Sequence, residues 1–176
     1  MAVDYVTRWQ WPVMVGALPP SNTRTEVVGG VLEPTIDPDR VRDWWSQWPE
    51  AGIVVPVGPG FEVVTVPLQI GQAALEVLTE RGSWLGPVMS DEDTISMLVR
   101  SGQTERWTEL VAVSGAGYAY AGQGQLVVLP PGSAHVGHVV RWVVPPTSAN
   151  ALRLPGFEEL AQVVARPPVR PRRWFW

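Results

Sequence analysis

The sequence predicts one two-layer domain that mixes helices and strands, α+β or α/β, and three observations carry that expectation. A chain of 176 residues, 45% hydrophobic and 17% charged, is long enough to bury one core and too poor in charge to stay disordered. Short β-branched runs recur along it, and 17 glycines with 18 prolines divide it into brief elements joined by many turns. Between the runs lie three stretches with apolar residues at helical spacing, Val41 to Trp48, Ile70 to Leu78 and Phe157 to Ala165.

In chain order, WQWPVMVGAL (9–18) reads as an early strand and 19–36 as a loop that can end in one short strand. Asp37 is an N-cap with Pro38 at the first helical position, so a helix runs to about Trp48, where Pro49 stops it. Val41, Trp44, Trp45 and Trp48 share its inner face. Gly52–Val57 and Phe61–Val66 are β-branched runs on either side of VGPG, which predicts a hairpin. Gln69–Arg81 is the clearest helix, with Gly82 just past its end. Gly86–Met89 and Thr94–Arg100 read as strands around the acidic turn SDED, and Leu110–Ser114, Gly117–Tyr120 and Gln125–Leu129 as further short strands. PPGSAHVGH reads as a loop, Val139–Val144 as a strand and Phe157–Ala165 as a last helix. The domain is therefore expected over 1–165, with RPPVRPRRWFW (166–176) as an extended tail.

Composition narrows the chemistry. With no cysteine there is no disulfide framework, thiolate nucleophile or zinc ribbon. The N-terminus lacks a signal-peptide pattern and no run of about 18 apolar residues exists, so a soluble, cytoplasmic protein without membrane contact is expected. The net charge of −4 is a poor match to a duplex-DNA binder. All 13 basic residues are arginines, and they are unevenly placed: 110–176 holds six of them against two acids.

The stretch FEVVTVPLQIG (61–71) is a strand that runs straight into a helix, a junction where an enzyme can present carboxylates to a metal; here it offers Thr65 and Pro67. Other chemistry is thin. His135 and His138 have H-x-x-H spacing but no carboxylate or cysteine nearby to complete a metal set, and a solvent-facing loop is the plainer reading. Asp91–Asp93 reads as a solvated acidic turn. VGPGF lacks the lysine and following helix of a phosphate loop, and nothing in the spacing favours a triad built on Ser133 and His135. Trp44, Trp45 and Trp48 could stack on bases, but filling the core explains them more simply, and core or edge packing explains Trp9, Trp11, Trp84, Trp107 and Trp142.

Two blocks carry a resemblance. DPDRVRDWWSQWPEAGIVVPVGPGFEVVTVP, with its paired-Trp helix, WP and Gly-bounded strands, and GQLVVLPPGSAHVGHVVRW resemble blocks of the bifunctional DNA primase/polymerase (prim-pol) N-terminal family, archaeo-eukaryotic-type primases of plasmids, phages and actinobacterial chromosomes. The resemblance extends from about Trp11 to Val164. It implies a single α+β domain with an RRM-like mixed sheet and flanking helices. In active members it implies two divalent metals with an acidic pair at the strand end and a third acid on a later strand, and a histidine on a following strand to hold the triphosphate. This chain departs at each station: Thr65 and Pro67 stand where the acidic pair would be, Glu62 is at the other end of that strand, TISMLV has no histidine, and Leu110–Phe157 contains no Asp or Glu.

The sequence therefore points to a non-catalytic prim-pol-like binding or regulatory module with no metal or cofactor, acting mainly through a protein partner. The tail residues Arg166, Arg170, Arg172, Arg173, Trp174 and Trp176 are candidates for that contact, since Arg and Trp dominate interface hot spots. The alternative is a single-stranded nucleic-acid binder or residual primase–polymerase that adds Arg141 and Arg153 to the same tail.

Overall fold

The computed structural model describes residues 2–16, 33–58, 60–115, 117–135 and 138–165, without the side chains of 133–138. Its organising element is β3 (Glu62–Pro67), second in a six-stranded antiparallel sheet of order β6-β3-β5-β4-β9-β8. The other strands are β4 (Val88–Ser90), β5 (Thr94–Val99), β6 (Ala119–Ala121), β8 (Gly132–His135) and β9 (His138–Val144). A smaller antiparallel sheet, order β1-β2-β7, holds β1 (Met14–Val15), β2 (Ile53–Pro56) and β7 (Leu126–Leu129). The fold is α+β, as the sequence predicts.

Alternation along β3 and β5 sorts side chains into two cores. Val64, Val66, Ile95, Met97 and Val99 face α3 (Leu68–Glu80), α4 (Thr104–Ser114) and α5 (Phe157–Ala165), packing on Ala74, Leu78, Trp107 and Leu160. Val63, Leu98 and Met89 face the smaller sheet and α1 (Ala2–Trp9), packing with Ile53, Val55, Leu129, Tyr5 and Val6. Tyr5 anchors this side: its hydroxyl donates to the Pro130 carbonyl and accepts from Trp142 Nε1 at 2.9 Å. Its ring lies 5.6 Å from Trp9 and 5.9 Å from Trp11, which in turn meets Phe61 at 4.8 Å. A third, small cluster joins Val15, Trp44 and Ala51 beneath α2 (Pro38–Gln47).

Local signals explain the helices that the sequence predicts. Asp37 caps α2 by accepting from Asp39 N at 2.9 Å, with Pro38 in the first turn. Helix α3 starts directly from β3 without a side-chain cap; instead Leu68 N donates to the Asp93 carbonyl at 2.7 Å. Gly82, at φ 63°, ends α3 and lets Ser83 N return to Leu78 O at 2.9 Å.

Four expectations are corrected. The early strand shrinks to Met14–Val15, because Ala2–Trp9 is helical and ends at Gln10, φ 55°. The predicted hairpin does not form: β2 is paired on both sides by β1 and β7, and β3 by β5 and β6, so neither has an edge for the other. Leu110–Ser114 belongs to α4, because Trp107 is fully buried against Phe157, rings 4.7 Å apart, and holds the segment helical with Val113 83% exposed. PPGSAHVGH is only partly loop, since Gly132–His135 pairs with β9. The tail 166–176, expected to be extended, lies outside the described residues, as do the side chains of His135 and His138.

Helix α3 approaches β5 so closely at Gly71 that a Cβ there would stand 2.5 Å from Ile95 Cβ. Overpacking of about 1–3 kcal/mol outweighs the roughly 1 kcal/mol that alanine gains over glycine in a helix. Gly71→Ala is therefore expected to lower stability by up to about 2 kcal/mol, read as a lower urea midpoint with an unchanged slope.

Candidate functional site

The register of β3 puts Val63, Thr65 and Pro67 on the face turned away from the helices. Val63 is covered by the smaller sheet, whereas Thr65 and Pro67 are half-buried at its margin. Across the sheet, Thr65 stands opposite Ser96 on β5 and Ala119 on β6, Ser96 opposite Met89, and Met89 opposite Trp142. One continuous rung therefore reads Ala119, Thr65, Ser96, Met89, Trp142 across five strands. Its polar members satisfy each other, with Thr65 Oγ1 and Ser96 Oγ 2.8 Å apart.

The next rung pairs Pro67 with Thr94. Gly117, φ 87°, brings the turn before β6 against it, so that a Cβ there would lie 2.9 Å from Pro67 Cγ. Acids lie beside this rung but along the chain from it: the turn 91–93 leads into Thr94. Asp91 Oδ1 accepts from Asp93 N at 3.0 Å, Thr94 N at 2.7 Å and Thr94 Oγ1 at 2.9 Å, so this oxygen shapes the turn. Among the described residues, no three His, Asp or Glu side chains form a group able to hold a metal ion.

Glu62 lies at the far end of β3, three residues from Thr65, and therefore on the opposite, helix-covered face. It is buried, and its carboxylate accepts from Thr104 Oγ1 at 3.3 Å; that hydroxyl accepts from Tyr120 OH at 3.2 Å. The cluster ties the start of α4 to β3 and β6.

The sequence-predicted arginines are placed differently from one another. Arg141 is exposed on β9 opposite Ser90, between Val139 and Val143, which are 49% and 48% exposed. Arg153 lies over the Trp84 ring at 5.5 Å and lines a cavity together with Arg100, which sequence reasoning did not single out. Arg166, Arg170, Arg172, Arg173, Trp174 and Trp176 are outside the described residues. Ser96 and Ala119, the partners of Thr65, were also missed; only strand order reveals them.

All three phenols titrate high, Tyr118 through burial, and Tyr5 and Tyr120 to about 12. Burial, with a smaller push from Asp4, raises Tyr5 to about 12 against the lowering effect of Trp142. Desolvation, then the Glu62 carboxylate, raises Tyr120 to about 12. Because both pKa values are raised above the ordinary value of about 10, the neutral phenols stabilise the fold fully below pH ~10, and that contribution is lost as pH rises through about 12. The unfolding midpoint should therefore drop over this window, in step with the phenolate absorbance. Tyr120→Phe should shrink the drop; an equal drop in that variant would contradict the assignment.

A family model described as bifunctional DNA primase/polymerase, N-terminal, matches residues 2–160. No curated protein and no solved structure matches the chain.

Proposed function

The chain belongs to the bifunctional DNA primase/polymerase N-terminal family, and from that premise we propose that it is a non-catalytic member, a binding or regulatory module that acts mainly through protein contacts. The observation that carries this reading is the neutral rung. Two-metal phosphoryl transfer requires hard oxygen ligands with charge, normally carboxylates, to clamp the attacking and leaving oxygens. The rung supplies two hydroxyls already bonded to each other, flanked by Ala119 and Met89, and the next supplies Pro67 and Thr94. A neutral hydroxyl is a weak Mg²⁺ ligand, and proline and alanine side chains have no ligand atom. The side chains of these two rungs do not fit a two-metal centre.

The protein-contact part rests on surface chemistry. Val139 and Val143 stand half-exposed around Arg141 on β9, next to the edge strand β8. An apolar strand face with an arginine suits a protein partner better than bulk water. The tail arginines and tryptophans would extend the same chemistry.

The decisive assay is incorporation of labelled nucleotides on primed and unprimed templates with Mg²⁺ or Mn²⁺. No incorporation above a heat-denatured control is expected, and incorporation abolished by chelation would overturn the reading. The alternative, a single-stranded nucleic-acid protein, draws on the excess of six arginines over two acids after residue 109. It requires oligonucleotide anisotropy that weakens steeply with salt and is lost when the chain ends at Ala165. On the protein-contact reading, no salt-dependent binding is expected from either version.

A further inference from the structure

We infer that the cavity bordered by Arg100 and Arg153 is an oxyanion site, built to take a phosphate group and separate from the strand-end rung. The cavity measures about 260 Å³ and is lined by Gly60, Arg100, Ala151, Leu152, Arg153 and Leu154. It lies where β5 ends: Arg100 follows Val99, the partner of Glu62, at the opposite end of the β3–β5 ladder from Pro67 and Thr94.

These two arginines are held by backbone and ring contacts and not by a carboxylate. Arg8, Arg42 and Arg106 each meet a carboxylate, Asp4, Asp39 and Glu158 respectively. Arg100 and Arg153 make no ion pair among the described residues, yet neither is left loose. Arg100 donates through one terminal nitrogen to the Leu154 carbonyl at 3.4 Å, and its backbone N–H holds the Pro155 carbonyl at 2.9 Å. Trp84 Nε1 holds the Arg153 carbonyl from the other side, and the Arg153 guanidinium lies over the same indole at 5.5 Å. Segment 153–155 is thus latched to two elements.

A guanidinium stacked on a ring keeps its N–H fork free at the edge, which matches the geometry of a tetrahedral oxyanion. Just past the cavity, Gly156 N bonds Glu159 Oε2 at 2.5 Å, and Phe157 N bonds Gln103 Oε1 at 2.6 Å. The arginine forks are the charged donors of the cavity lining, and an anion is the partner that completes them. Gly60 contributes no side chain to the lining. With a net charge of −4 on the chain, local binding of one compact anion is a better match than tracking a long polyanion.

The test is calorimetric titration of the full chain with inorganic pyrophosphate, against sodium chloride at matched ionic strength. Saturable binding is expected, weakened roughly ten- to a hundredfold by Arg153→Gln and by Arg100→Gln, as expected for loss of a charged hydrogen-bond partner. Should Arg100→Gln disturb the fold, Gly60→Glu leaves both arginines in place. A Cβ at Gly60 meets only the Trp11 ring, at 3.6 Å, and the added carboxylate should abolish binding. An oligothymidylate arm distinguishes sources: competition with pyrophosphate assigns the site to a backbone phosphate, and its absence assigns it to small molecules. No pyrophosphate binding, or equal binding in folded Arg153→Gln and Gly60→Glu, overturns the site. The inference does not depend on the catalytic reading, since incorporation assays and pyrophosphate titrations can fail separately.

Discussion

Everything in this molecule depends on β3 being covered by helices on one face and, at Val63, by the smaller sheet on the other. Its six residues pair with β5 from Glu62–Val99 to Pro67–Thr94 without interruption, and with β6 from Val63 to Thr65. A slip of one residue would turn Val64 and Val66 away from Leu78 and Ala74 and push the polar side chain of Thr65 into the helix-side core. The hydrophobic cores therefore fix which side chains can reach the open face. Glu62 cannot be the acid of that face, whatever its nearness in sequence, because the same pleat that exposes Thr65 sends Glu62 to Thr104.

The packing around β3 also fixes the position of α3. That helix starts without a break, tied by Leu68 N to the acidic turn, and comes down on Ile95 through Gly71. Together these bring the β4–β5 turn, the strand end and the first turn of α3 to one corner. On the other side, the rung turns apolar toward Met89 and Trp142 because those residues belong to the core beneath the smaller sheet. The hydroxyl pair sits where that core gives way to solvent.

What the sequence disclosed came from local rules. Asp37-Pro38, Gly82 and the apolar period of Phe157–Ala165 each carry their own stop, start or face, and α2, α3 and α5 appear where those signals put them. The N-terminal helix is equally local, with Ala2, Tyr5 and Val6 buried on one side, but the Trp-rich segment after it has the composition of a strand. Other features had no local signal. The β-branched run of Leu110–Ser114 favours a strand until Trp107 is anchored on Phe157. The β2–β3 turn looks like a hairpin until β7 and β5 claim the two edges. Thr65 and Pro67 could be named from sequence, but Ser96 and Ala119 could not, because a strand's neighbours are a property of sheet order. Arg100 and Arg153 share a cavity only because segment 153–155 folds back onto the end of β5.

The division into cores has a spectroscopic consequence. Trp9, Trp11 and Trp142 crowd around Tyr5 on the aromatic side, Trp107 sits fully buried with Phe157 on the helix side, and Trp44 and Trp48 belong to the third cluster. Each layer thus contains its own chromophores in a distinct environment: closely coupled indoles in one, a lone desolvated indole in another. Single tryptophan-to-phenylalanine replacements would divide the near-ultraviolet signal by layer, so that the molecule's own optics can reveal whether the two sides of β3 come apart together or one after the other.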